Sequence, residues 1–384
     1  MKLGSRRMIF GATGTAILWV LSVSLAGGQQ AGTDPNQGMA EEVFDNVQVL
    51  KGIPVDEFMG TMGVFSAALG LSCEDCHTAS SNDWANYASD VSPRKATARR
   101  MVLMMAAINR TNFGGRQVVT CFTCHRGSTI PKATSSLDLL YGAPPPDELD
   151  VTIVAEPDAP AATEIFNRYL EALGGRANLA KVESYVARGT YSGYGPEGAP
   201  RPVEVYAKAP NQRATNVLDP TSGDIVWTFS GRQAWISAPF RPVDVLEMHG
   251  AEVEAWSVEA ELQFPSNVAN VAQNWRVGYR EILDDKVVRP VQGDRGDVLV
   301  TMYFDEETGL MTRLVRSTPS PVGRLPVRID YHEFGELGST GVQIPFQWTM
   351  TWLDGRNNYE ISEAEANVAI PASRFERPAP PKPY

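Results

Sequence analysis

Two periods of apolar residues divide this chain. From position 58 to 69 the apolar side chains recur at helical spacing, with Phe58, Met62, Phe65 and Leu69 on one face. Pro54 and the acids Asp56 and Glu57 precede that run as a helix start, and Gly70-Leu71-Ser72 breaks it. The pattern predicts a second helix with Ser92 as N-cap and Pro93 in its first turn, running to about Asn109 and ending toward Gly114-Gly115. A third, over 163–173, carries the stripe Ile165, Phe166, Tyr169, Leu170 and Leu173 and is closed by Gly174-Gly175. Thereafter the period is two. Stretches 185–191, 203–207, 224–229, 233–237, 298–304, 312–316, 327–334, 346–352 and 359–365 read as successive antiparallel strands. Residues 305–309 and 353–356 are hairpin turns, and 252–275 interrupts the strands with a helix or two.

At 384 residues this pattern predicts two domains, a mainly α module over 43–131 and an antiparallel β domain over 161–384. Between them, 132–160 is rich in Pro, Ala, Ser and Asp, including Ala143-Pro144-Pro145-Pro146, and reads as a semi-rigid linker. Lys2, Arg6 and Arg7, an apolar stretch over 8–25 and Ala26-Gly27-Gly28 form the regions of a signal peptide over 1–28. A flexible tether rich in Gly, Asn and Gln follows over 29–42. The apolar run approaches the roughly 20 residues that span a bilayer, so an uncleaved anchor is the alternative. The net charge of −11 and pI near 5.0 argue against nucleic acid as a partner.

All four cysteines fall in two copies of C-x-x-C-H, Cys73-Glu74-Asp75-Cys76-His77 and Cys121-Phe122-Thr123-Cys124-His125. Three chemistries use such pairs: two c-type haems, one four-thiolate zinc site, or two disulfides. The histidines favour haem. Neither a zinc ribbon nor a disulfide needs a His directly after each pair, and the chain holds only four His. In the haem reading the thiols of Cys73, Cys76, Cys121 and Cys124 bond the vinyl groups of two covalently bound haem c, and His77 and His125 ligate the irons. Covalent haem attachment takes place outside the cytoplasm, in agreement with an exported, periplasmic protein.

The haem region has no third His, because His249 and His332 lie in the strand-rich part. Methionine is then the natural sixth ligand; its thioether favours reduced iron and suits an electron carrier. Met62 and Met104 each sit one helix ahead of a motif. Met59 rivals Met62, and Met101, Met104, Met105 and Ile108 also fit an ordinary core stripe. Arg99 and Arg100 suit haem propionates or a solvated helix face. The strand-rich part shows no nucleophile, base and acid together. Its His249 and His332 read as structural, and Trp227, Trp235, Trp256, Trp275, Trp348 and Trp352 as sheet core or as the lining of a lipid-like groove.

Several of these residues also carry a resemblance. Asn46-Val47-Gln48-Val49-Leu50-Lys51, Glu57-Phe58 with Thr61-Met62, Ala98-Arg99-Arg100-Met101 with Met104 and Ile108-Asn109, Val119-Thr120, Arg126-Gly127 and both C-x-x-C-H motifs are together similar to the cytochrome c subunit of purple-bacterial photosynthetic reaction centres. The likeness covers about 43–131. It implies helix-borne methionines as sixth ligands, at positions matching Met62 and Met104. Members of that family carry four haems in two pairs; this chain stops after one pair and resembles a two-haem relative. Farther on, Tyr169-Leu170-Glu171-Ala172-Leu173-Gly174-Gly175, Phe304-Asp305, Thr308-Gly309-Leu310 and Gly341-Val342-Gln343-Ile344-Pro345-Phe346 resemble half-barrel domains of the lipoprotein-carrier (LolA-like) type. That likeness implies a curved antiparallel β half-barrel (α+β) wrapped round a helix. The expected protein is a periplasmic dihaem cytochrome, an electron carrier and not an enzyme. Its partner is a redox protein, reaction-centre-like or respiratory, and any membrane association runs through the N-terminus. A dihaem peroxidase-like enzyme and an apolar-ligand carrier with redox-sensing haems are the alternatives.

Overall fold

The computed structural model describes residues 38–77, 84–131, 133–134, 152–194 and 199–381. The expected signal segment at 1–28, most of the tether, and residues 135–151 of the expected linker lie outside the described residues.

Among the described residues, fourteen strands form one antiparallel sheet. Its middle is made where the first strand, Ser184–Gly193, pairs with the last, Gly355–Ala366. One arm runs outward by hairpins through Arg201–Lys208, Gln212–Val217, Ile225–Phe229 and Ala234–Ser237 to the edge strand Val245–Glu247. The other runs from Gln347–Trp352 through Gly323–Tyr331, Met311–Ser320, Val298–Asp305 and Lys286–Arg295 to Gln273–Val277. The helix Gly250–Glu261 touches both arms, at Gln212–Val217 and at Met311–Ser320. Those strands stand six places apart, about 29 Å in a flat sheet at about 4.8 Å per strand. A helix is only about 10–12 Å across. The sheet therefore curls round it as a half-barrel. The stripe expected at 163–173 faces the same core: helix Ala162–Ala172 buries Phe166, Tyr169 and Leu170 in the cluster that also holds Ala255 and Val258 of the enclosed helix.

The helical segment and the sheet are continuous in packing, and the described residues from 38 to 381 belong to one compact unit. Helix Val55–Leu69, which carries Met62, lies across the mouth of the half-barrel, against the edge strand Val245–Glu247 and against Gly323–Tyr331. Val55 is buried in the core of the sheet, while Val64, Val102 and Met105 share a smaller core with Val322. A Cβ at Gly60 would sit 2.8 Å from a methyl of Leu325, so glycine lets the helix come down on the strand. At the helix start, the Asp56 carboxylate accepts from the His249 backbone N–H at 2.8 Å and lies 3.0 Å from its ring Nδ1.

Periodicity locates the strong strands and misses those that break the apolar alternation. Gln212–Val217 turns Arg213 toward Glu259 and buries the polar Thr215, and Lys286–Arg295 holds Pro290, Gly293 and the buried Arg289. The expected strand over 327–334 stops at Tyr331, and 252–275 resolves into Gly250–Glu261, a 3-10 turn over Pro265–Asn270 and a strand beginning at Gln273.

Ion pairs lock the enclosed helix to both arms. Arg316 Nε donates to Glu259 Oε1 at 2.5 Å and its Nη1 to Glu252 Oε2 at 3.2 Å. Arg213 Nη1 donates to the other Glu259 oxygen at 3.2 Å. Removing the shared carboxylate leaves two cations in a largely buried site. Glu259→Ala is therefore expected to lower the unfolding free energy by about 3–5 kcal/mol in urea titrations. Glu363→Ala, at an exposed pair with Arg188, changes it by less than about 1 kcal/mol.

Candidate haem sites

The first C-x-x-C-H grows directly out of the Met62 helix. That helix ends at Gly70, whose left-handed φ of 65° returns its N–H to the Ser66 carbonyl. Ser72 then caps a single turn, Cys73–Cys76, with the Asp75 carboxylate accepting from the Ser72 N–H at 2.9 Å and its Oγ at 3.0 Å. Cysteines three apart on one turn share a face. His77 stacks on Tyr87, ring centroids 4.4 Å apart, with Nδ1 3.0 Å from the Tyr87 carbonyl oxygen. A carbonyl can only accept, so Nδ1 carries the hydrogen and Nε2 keeps its lone pair for a metal. Burial lowers the His77 pKa, the Tyr87 carbonyl opposes that shift, and the Lys95 charge adds to it.

Met62, Cys73, Cys76 and His77 all face one cavity of about 690 Å³, within the roughly 300–1,000 Å³ of cofactor sites. Met59, the rival thioether, lines it too. The opposite wall belongs to the half-barrel and includes Tyr194, Arg241, Trp352 and Asp354. Asp354 lies against Gly63, where a Cβ would be 3.6 Å from its carboxyl. Desolvation raises the Asp354 pKa, and Arg241 pulls it back down.

The second set sits at the surface. Thr120 and Thr123 cap each other's amides to start the turn Cys121–His125, and the Cys121 N–H donates to the Val322 carbonyl at 3.2 Å. His125 Nδ1 lies 2.9 Å from the Ser128 carbonyl oxygen, which leaves its Nε2 in the same state as that of His77. Burial, with a smaller contribution from Cys124, pushes the Cys121 thiol up to about 11. The loop before the turn hangs on Asn109, a buried side chain of helix Pro93–Asn112. Its Oδ1 accepts from Val118 and Val119 N–H at 3.1 and 2.9 Å, and its Nδ2 donates to the Val119 carbonyl at 2.7 Å. Val102, Met105 and Asn109 form the buried face of that helix. Met104 stands outside it, 47% exposed, as does Phe122 of the motif at 57%.

The two turns are joined at their backs. The Gly127 N–H donates to the Ala68 carbonyl at 2.9 Å, and a Cβ on Gly70 would fall far inside contact with the Gly127 oxygen.

Sequence reasoning missed the ring-orienting carbonyls of Tyr87 and Ser128, because any residue supplies a carbonyl. It also missed Asn109 as a clamp and Arg241 and Asp354 as cavity walls. Arg99 pairs with Asp90 at 2.8 Å, and Arg100 donates to Thr97 at 3.0 Å. The tryptophans divide: Trp227, Trp256 and Trp352 line the cavity, while Trp235 and Trp348 are buried in the sheet. His249 is held by Asp56.

Residues 21–138 match the family described as the photosynthetic reaction centre cytochrome C subunit. Over 97 residues the chain is 38% identical to the photosynthetic reaction center cytochrome c subunit of Thermochromatium tepidum, covering 24% of this chain and 23% of that protein. The subunit of Rubrivivax gelatinosus is 37% identical over 97 residues, 24% of this chain and 25% of that protein. The chain thus spans about a quarter of the length of these relatives. Among solved structures it is similar to a LolA superfamily protein from Nitrosomonas europaea, 15% identical with a TM-score of 0.37, over 57% of this chain and 98% of that one. A DUF1329 family protein from Desulfovibrio piger is 10% identical with a TM-score of 0.38, over the same 57% and 98%. The half-barrel described above stands on its own strand pairing.

Two substitutions test the scaffold. Asn109→Ala strips three hydrogen bonds from the loop entering Cys121. It is expected to cost about 1–3 kcal/mol in thermal unfolding. Gly70→Ala is expected to cost more, since it adds a left-handed penalty to a clash with backbone that cannot turn away.

Proposed function

We propose that this chain is an exported dihaem c-type cytochrome that passes single electrons in the periplasm. What carries the reading is the repeated donor set: two cysteines on one capped turn, followed by a histidine whose Nδ1 is taken by a backbone carbonyl. The chemistry of those donors fits haem c at both places. Haem c bound there supplies a one-electron iron couple.

The residues of the chain do the rest. Cys73, Cys76, Cys121 and Cys124 provide the thiols for attachment. His77 and His125 present Nε2 in the neutral tautomer that a metal needs. As ligands to haem iron, the thioethers of Met62 and Met104 would favour the reduced state and raise the potential, which suits transfer over ligand activation. Met62, half-buried, works in a cavity walled on one side by the half-barrel. Met104, beside the exposed Leu103, works at the surface, where a redox partner of reaction-centre-like or respiratory kind can approach. The likeness of the N-terminal part to reaction-centre cytochrome subunits supports electron transfer as the role. Among the described residues no helix is long and apolar enough to cross a membrane. We assign any membrane contact to residues 1–28.

A pyridine haemochrome assay on the exported protein is expected to give two covalent haems per chain, and any other stoichiometry overturns the reading. Met62→Ala and Met104→Ala are each expected to open one iron to rapid carbon monoxide binding that the parent protein lacks. A parent protein that already binds carbon monoxide rapidly would favour a peroxidase-like enzyme instead.

A further inference from the structure

Five cationic side chains line the cavity that holds Met62, Cys73, Cys76 and His77: Lys95, Arg99, Arg213, Arg241 and Arg316. Four have protein partners. Lys95 donates to the carbonyls of Tyr87 and Ser89 at 2.7 Å each, and Arg99 pairs with Asp90. Arg213 and Arg316 share Glu259. Arg241 differs from all of these. Among the described residues its side chain makes no hydrogen bond or ion pair, and its Nε is buried without a partner, as is that of Arg213, whose Nη1 is nonetheless held by Glu259. A buried donor left unpaired costs about 1–3 kcal/mol, and more when it is charged. Such a group calls for an acceptor that the protein itself does not supply.

The place of Arg241 says which acceptor. It follows the strand Ala234–Ser237, on the half-barrel side of the cavity. Its electrostatic neighbours are Tyr194, Asp354 and Tyr191. Asp354 in turn acts on Cys73, Cys73 acts on Tyr194, and all of them line the same cavity, so Arg241 belongs to the surroundings of the first attachment turn. A haem held at Cys73 and Cys76 carries two propionate carboxylates, and a guanidinium fork matches a carboxylate with two parallel N–H donors.

We propose that the half-barrel completes the first haem site, with Arg241 binding a propionate of the haem attached at Cys73 and Cys76 and raising the potential of that haem alone. The proposal rests on the dihaem reading above. A propionate left without its cation places negative charge beside the iron and disfavours the reduced state. The strand-rich part is then a structural component of the redox centre.

The test uses the full-length, haem-loaded protein in spectroelectrochemical titrations that resolve both haems. Arg241→Gln is expected to lower one potential, by about a tenfold change in its reduction equilibrium or about 59 mV for one electron, and to leave the other in place. Arg241→Lys restores most of the loss, and Arg232→Gln, an exposed cation on the same arm, moves neither haem. Unchanged potentials in Arg241→Gln with both haems attached overturn the proposal while the electron-carrier reading stands. Equal loss in the Gln and Lys variants also overturns it. Absence of covalent haem from the parent protein overturns the reading beneath it. Should Arg241→Gln not fold, resonance Raman spectra of Arg241→Lys decide: a shifted propionate-bending band supports the contact and an unmoved band rejects it.

Discussion

Close approach of one helix to its neighbours is the condition on which the rest of this structure depends. Val55–Leu69 meets the half-barrel through two glycines, with Gly60 over Leu325 and Gly63 over Asp354. It meets the second motif through a third, Gly70 against the Gly127 carbonyl. Its first turn is pinned by Asp56 to His249, at the start of the helix that the sheet encloses. One element is thus gripped at its start, along its side and at its end. Cys73 lies three residues after Gly70 and Gly127 two after His125, so the same grip sets the spacing of the two C-x-x-C-H turns. Binding groups work when their supporting shell holds them within about 0.5 Å.

The half-barrel tolerates charge in its interior because the charges arrive in matched sets. Glu259 serves two arginines, Arg213 and Arg316, and Glu252 meets Arg316 and the Thr318 hydroxyl. Buried ions of this kind add little net stability over an apolar core, and their directionality fixes which residues face each other. Here that fixes the enclosed helix against both arms and holds the curl of the sheet.

What could be read along the chain was what is written locally. Both C-x-x-C-H motifs, the Met62 helix and the stripe of Ala162–Ala172 each declare themselves within a dozen residues. The strands with clean alternation do so as well, and Arg289 and Pro290 hid the strand that carries them. The seating of the Met62 helix in the mouth of the half-barrel could not be read, because Gly60 and Leu325 lie far apart in sequence and neither announces the other. The orientation of the two imidazoles was equally hidden, since it comes from main-chain carbonyls at Tyr87 and Ser128. Met104 shows the limit of spacing arguments. Its pattern also fitted a core stripe, yet Val102, Met105 and Asn109 take the core and Met104 stays outside it.

The stretch that reads as a spacer has a further consequence. Its downstream end runs beside the sheet: the Glu156 N–H donates to the Val277 carbonyl at 2.9 Å, Ala155 bridges to Gly278, and the Ile153 N–H donates to Gln292 at 3.0 Å. Glu156 also pairs with the buried Arg289. An open sheet has two borders, and a bare border recruits strands from other molecules. Here the far border is a strand of three residues, Val245–Glu247, with the Met62 helix against it. The near border is hemmed by residues 153–156. The segment joining the two halves of the chain thereby keeps a broad, uncapped sheet from sticking to its own kind.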